Sequence, residues 1–234
     1  MRTVLSTVAA LLYVSIVFAG SGDDEMFAND IKSVSLKLAV EQKFTAEIVI
    51  LNKSVSGFLP SVNAVIHRSG VNAHISFMKM EYLFTAKRSI VVDHKRKFIA
   101  YSTPTVKQQD VMKRLLPAID SFSHLYDSVV YKGTVDGKRK YCVYKSKGLI
   151  MYAEVYFDPV TGFFSKLLYR YNPELTGEEG IIIIEYRNVS FSPAFDSDEF
   201  DDKKFISLKN GTVVPARALS GYSISEAQTS FDNY

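Results

Sequence analysis

The chain has 234 residues, enough for one domain or two small ones, with 47% hydrophobic residues and a formal charge of +3. This composition excludes a disordered or collagen-like chain, and the near-neutral charge excludes a general nucleic-acid binder. A single cysteine excludes a disulfide framework and any multi-cysteine zinc or iron–sulfur site.

Residues 1–19 have the layout of a secretory signal peptide. Arg2 supplies the positive start, Val8 to Phe18 the apolar core, and Val17-Phe18-Ala19 the cleavage site. The apolar core is about half the length needed to span a bilayer. A short anchoring helix is the other reading of this segment. Gly20 follows the cleavage site where a lipobox needs Cys, so an exported chain without a lipid anchor is expected, with residues 20–234 as one domain.

Phe27, Ile31, Val34 and Leu38 recur at helical spacing and predict a helix over Met26–Val40. From Phe44 the period changes to two: Phe44, Ala46, Ile48 and Ile50 alternate with Thr45, Glu47, Val49 and Leu51. Strands are expected again at Val62–Ile66, Ala73–Met78, Ser89–Asp93 and Lys97–Ser102. Gln108–Tyr126 breaks the pattern and reads as two short helices split at Pro117.

Ser128–Lys132 and Lys138–Lys145 flank Asp136-Gly137, a strong hairpin signal. Leu149–Phe157 and Phe163–Tyr171 flank the turn Asp158-Pro159-Val160-Thr161-Gly162. Gly180–Phe191 is the longest strand, and a last one is expected near Leu219–Ile224. Nine or ten strands joined by tight turns predict a mainly β, α+β fold. It is a curled antiparallel sheet or open half-barrel, with an N-terminal helix and a short helical lid.

Signatures of catalysis are absent: the chain has no H-E-x-x-H, G-x-S-x-G or glycine-rich phosphate loop, and no enzyme activity or cofactor is expected. His67 and His74 straddle a turn, with Glu47 on a neighbouring strand as a conceivable third metal ligand. Facing polar residues on a solvated sheet face account for them, and no metal is expected. Asp93-His94 sits in a turn with Lys95, Arg96 and Lys97 and reads as solvated. The acidic run Asp196, Asp198, Glu199, Asp201 and Asp202 lacks the glycine and terminal glutamate of a calcium loop and reads as a solubilising loop. Cys142, within an apolar strand, reads as a small buried hydrophobe.

What remains is apolar surface. Phe44, Ile48, Ile50, Phe77, Tyr82, Phe84, Tyr152, Tyr156, Phe164 and Tyr169 are large residues suited to lining the concave face. If the helices leave it unfilled, it is an apolar ligand pocket; if they fill it, it is a core. The basic run in hairpin 132–147 is suited to transient contact with a membrane or envelope protein, or simply guards a sheet edge.

The order of elements, with a helix leading straight into Phe44-Thr45-Ala46-Glu47-Ile48, resembles the LolA/LolB-like periplasmic lipoprotein-carrier superfamily. Three stretches are similar to LolA-like proteins of the Bacteroidetes group. They are Glu81-Tyr82-Leu83-Phe84 followed by Ser89 to Ile99, then Asp158 to Leu167, then Phe195 to Ile206. The chain departs from the well-known carriers in having no Trp, so their Trp-rich cavity has no counterpart. Arg68 and Arg88 are candidates for their latch arginine by strand location alone. The resemblance implies a monomeric, non-enzymatic periplasmic carrier that holds a lipid or the acyl chains of a lipidated protein. An envelope interaction module with a filled core, binding a protein or glycan, is the alternative.

Overall fold

The computed structural model describes residues 22–54, 57–103 and 126–227. The expected signal peptide lies outside these residues, as does the expected helical lid except for Tyr126. Helix α1 spans Gly22–Val40 and starts four residues earlier than periodicity suggests. Asp23, Asp24 and Glu25 form its first turn and Lys37 lies in its last, charges placed to complement the helix dipole. Acidic residues that look like a polar leader are therefore the helix N-terminus.

The strands are β1 Lys43–Ser54, β2 Gly57–Phe58, β3 Val62–Ser69, β4 Asn72–Phe77, β5 Met80–Phe84, β6 Ser89–Asp93 and β7 Phe98–Ser102. The second half adds β8 Ser128–Val135, β9 Lys138–Tyr144, β10 Ile150–Asp158, β11 Phe163–Tyr171 and β12 Ile181–Ser190. The four-residue helix α2, Pro173–Thr176, lies between β11 and β12. A tail follows with β13 Ile206–Lys209, β14 Thr212–Pro215 and β15 Ser223–Glu226.

One large sheet runs in the order β15-β7-β6-β5-β4-β3-β1-β12-β11-β10-β9-β8, with β2 also on β1. All neighbours are antiparallel except β15, which pairs parallel to β7. The ends of this order, β15 and β8, do not pair with each other, so the curled sheet stays open as a half-barrel. Pairing of β1 with β12, where Ile48 opposes Tyr186, joins the two halves. Bulges between Thr45 and Glu47, Tyr156 and Phe157, and Tyr131 and Thr134 bend the strands they interrupt. Asp136 and Gly137 both take positive φ, at 50° and 74°, which the two-residue hairpin turn requires.

The sheet carries an apolar core on its inner face and a second, smaller one on the outer face of β5–β7. On the inner face α1 contributes Phe27, Ile31, Val34 and Leu38 to a core with Phe44, Ala46, Ile48, Tyr141, Val155, Leu167 and Ile184. On the outer face Leu83, Ile90, Val92 and Ile99 of β5–β7 pack with Phe205 and Ile206 of the tail. Half-buried Phe200, Val213, Leu219, Tyr222 and Ile224 complete that second core.

The expectation of nine or ten strands is therefore low. The unexpected strands are β2, β5 and the tail pair β13–β14, where Asn210-Gly211 closes the hairpin with φ of 53° and 79°. The last strand starts later than expected because Arg217–Leu219 is a 3-10 turn.

Candidate functional site

Helix α1 is fastened to one end of the inner face. The Asp30 carboxylate receives two nitrogens of Arg139, with Nε at 2.8 Å, and the Tyr141 hydroxyl at 2.6 Å. The Arg139 guanidinium also lies 4.8 Å from the Phe157 ring centroid. Lys37 donates to the Thr161 carbonyl at 2.7 Å and lies over Phe191 at 4.3 Å. The Tyr131 N–H donates to Asp23 at 3.2 Å. All these anchors fall on β8, β9, the β10–β11 turn and the end of β12.

Strands β3–β5 carry the inner apolar surface further, through Val62, Ile66, Ile75, Phe77 and Tyr82. At the rim Arg68 follows Ala64 and Ile66 on the same face and is only 5% exposed. It donates to the Glu41 carbonyl at 2.6 Å, and its Nε has no hydrogen-bond partner. Burial lowers its pKa from the ordinary arginine value. Tyr169 belongs to the inner cluster, and Tyr126, Tyr171 and Tyr186 pack against it. Burial pushes the Tyr126 phenol up to about 12 and raises those of Tyr169 and Tyr186 further, so all stay neutral.

Of the ten residues expected to line the concave face, Phe44, Ile48, Ile50, Phe77 and Tyr169 are buried in the inner cluster. Tyr82 and Phe164 are half-buried against it. Phe84 shares the face of Tyr82 by the period of two but belongs to neither cluster. Tyr152 and Tyr156 face outward, a correction. Ala153, Val155 and Phe157 are the buried inward residues of β10, so Tyr152, Glu154 and Tyr156 take the other face. Both tyrosine hydroxyls donate to Glu154 at 2.7 Å, and Lys140 is 2.9 Å from it. Size misled the sequence reading, because the smaller side chains of β10 are the buried ones.

The basic hairpin is also less free than it reads. Lys138 pairs with Asp158 at 2.7 Å, Lys140 with Glu154, and Arg139 with Asp30. Cys142 is buried as expected, its Sγ 3.2 Å from the Tyr152 hydroxyl.

A polar constellation occupies the outer face beside the second core. His67 and His74 are direct register partners on β3 and β4. Their Nδ1 atoms both lie 2.7 Å from Glu199 Oε1, which the tail brings across the sheet. His74 Nε2 is 3.0 Å from Glu81, and His94 Nε2 is 2.5 Å from the same carboxylate. His94 Nδ1 lies 2.9 Å from the Tyr222 hydroxyl. Burial works to lower the His74 pKa, but hydrogen bonds to Glu81 and Glu199 outweigh it and the pKa is raised.

The carboxylate beside the histidine pair is thus Glu199 and not Glu47, which is exposed and opposes Val65. The acidic run is more than a solubilising loop, and His94 is no solvated turn residue. Distance along the chain hid both contacts, since nothing local marks Glu199 as the acid that crosses the sheet. Arg88, the other latch candidate, pairs with Asp202 of the tail at 2.8 Å.

Comparison with protein-family models gives no match, and comparison with curated proteins gives none either. Solved structures give matches of low identity. An uncharacterized conserved protein from Thermus thermophilus is 7% identical with a TM-score of 0.48, over 86% of this chain and 99% of that one. The Pseudomonas aeruginosa MucA/MucB complex matches at 10% identity and a TM-score of 0.45, over 74% of this chain and 60% of that one. A LolA superfamily protein from Nitrosomonas europaea matches at 7% identity and a TM-score of 0.32, over 74% of this chain and 97% of that one. Similarity at this level carries no inference about function. No helix among the described residues is long and apolar enough to cross a membrane.

Proposed function

We propose that the chain is an exported, non-enzymatic carrier that holds a lipid, or the acyl chains of a lipoprotein, on the inner face of its half-barrel. One observation carries this reading. The apolar inner surface continues over β3–β5, where Val62, Ile75 and Tyr82 are half-buried, beyond the strands to which α1 is fastened. Phe77, Tyr82 and Phe84 are the candidate lining there, with Phe44, Ile48, Ile50, Phe164 and Tyr169 behind them. Each buried CH₂ contributes about 0.8 kcal/mol, so an acyl chain is held there without a charged contact.

The signal-like residues 1–19 and the LolA/LolB-like order of elements in the sequence support a periplasmic setting for residues 20–234. The test is native mass spectrometry and lipid extraction of the full chain expressed with its own N-terminus in a Gram-negative host. Co-purifying lipid, displaced by a fluorescent fatty acid, is the expected result. A folded protein that carries no lipid and takes up no probe overturns the carrier reading in favour of an interaction module.

A further inference from the structure

The outer-face network does not balance as a set of hydrogen bonds between neutral rings and carboxylates. A neutral imidazole has one N–H and one lone pair. Four ring nitrogens face a carboxylate oxygen: His67 Nδ1 and His74 Nδ1 toward Glu199, and His74 Nε2 and His94 Nε2 toward Glu81. Three neutral rings supply three protons. His74 is caught on both sides, so one of its nitrogens presents a lone pair to an anion at hydrogen-bond distance. The arrangement is satisfied only with one further positive charge, carried either by a second proton on His74 or by a cation where His67, His74 and Glu199 converge.

We infer that His67 Nδ1, His74 Nδ1 and Glu199 Oε1 form a binding site for a divalent transition-metal ion, zinc in particular, that ties the tail to the β3–β4 hairpin. The ligand atoms all lie within 4.8 Å of one another. Ligands at about 2.0–2.1 Å in a tetrahedral zinc shell stand about 3.3 Å apart, so the two 2.7 Å contacts have to open slightly and the two ring nitrogens, within 4.8 Å of each other, to settle at that spacing. Two imidazoles with one carboxylate suit zinc, whereas calcium and magnesium take all-oxygen shells. Three protein ligands leave the fourth position to water.

The surroundings are built for this. Register pairing of His67 with His74 fixes their separation through the backbone of two adjacent strands. Phe195 packs on the His67 ring at 5.2 Å and Phe205 edge-on to His74 at 5.9 Å. The side chains of His74 and Glu199 are each 14% exposed and that of His67 is 31%. Glu81 lies 3.0 Å from His74 Nε2, placed as the second carboxylate that commonly orients a metal-bound histidine; a proton held on Nε2 leaves the Nδ1 lone pair for the ion. Lys204 stands 3.8 Å from the other Glu199 oxygen.

The experiment strips the full chain with a chelator, then titrates zinc calorimetrically near neutral pH and cobalt(II) by visible absorption. One ion per chain is expected, with the intense visible bands of four-coordinate cobalt. Glu81→Gln is expected to keep that stoichiometry with affinity weakened about 10- to 100-fold, the usual loss for such a partner. His67→Asn, His74→Asn and Glu199→Gln are expected to abolish binding, and Glu47→Gln to leave it unchanged. Circular dichroism on each variant separates loss of the site from loss of the fold. A folded wild-type chain that binds zinc no tighter than about 0.1 mM overturns the inference, since that is only about 5 kcal/mol. Folded His74→Asn and Glu199→Gln variants that bind as well as wild type overturn it too.

Discussion

Asp30 of α1 and Arg139 of β9 meet face to face, two guanidinium nitrogens on the two carboxylate oxygens, with the Tyr141 hydroxyl on the same acid. Asp30 is buried, so this helix is located by a charged contact as well as by its apolar stripe. Removing one partner of a buried pair strands the other. Asp30→Ala is expected to cost about 3 kcal/mol, the low end for buried pairs because Arg139 is partly exposed. Urea unfolding monitored by circular dichroism measures this, and Asp30→Asn, which can still bond Tyr141, is expected to cost less.

The proposed acyl-chain binding is expected to separate the two sheet faces. Ile75→Ala removes about three methylene equivalents from the inner surface, about 2 kcal/mol or roughly 30-fold in affinity for a fluorescent fatty acid. Tyr82→Ala is expected to weaken the probe in the same direction. Tyr152→Ala, on the outward face of β10, is expected to leave the probe's affinity as it was. An equal loss from the outward variant would contradict the assignment of the faces.

Acid weakens the β9–β10 contacts in a defined window. Burial works to raise the Glu154 and Asp158 carboxyls, but Lys140 with two tyrosine hydroxyls, and Lys138 with backbone N–H groups, outweigh it and hold both below the usual range. A depressed folded-state pKa gives a contribution that is complete above the unfolded value, near 4, and fades as pH falls through the folded one. Urea midpoints of the wild type are therefore expected to drop below about pH 4.5. In Glu154→Gln and Asp158→Asn that acid limb is expected to be shallower, with lower stability at neutral pH.

The tail hairpin rests on left-handed backbone. Gly211 sits at φ 79°, and nothing lies within 4 Å of a Cβ placed there, so Gly211→Ala meets conformational strain without a clash. A cost of about 1 kcal/mol is expected. Hydrogen exchange should locate the change in β13–β14, and Asn210→Ala is expected to act at the same place.

The main sheet was legible because its grammar is local. Period two from Phe44 onward, the Asp136-Gly137 turn and the Asp158–Gly162 turn specify strands and hairpins within a dozen residues of themselves. The tail hairpin carries an equally local signal in Asn210-Gly211. Two other features could not be read that way. The inward face of β10 is fixed by pairing with β9 and β11, which puts Ala153 and Val155 inside despite their size. Glu199 reaches His67 and His74 across more than a hundred residues of chain, and one sequence contains no periodicity that marks such a meeting.

Pairing between the two halves also sets a timetable. Strands β3 to β7 follow one another as a meander, each beside its predecessor, and can assemble soon after they are made. The open side of β1 has to wait for β12, and the outer surface of β5–β7 waits for Phe205, Ile206 and β15 at the far end of the chain. Until then the early half exposes a bare strand edge and an uncovered greasy face, the features that recruit chaperones and seed aggregates. A truncation after β12 is accordingly expected to keep its inner core yet clump, because the residues that follow Ser190 act as the lid on a surface built long before them.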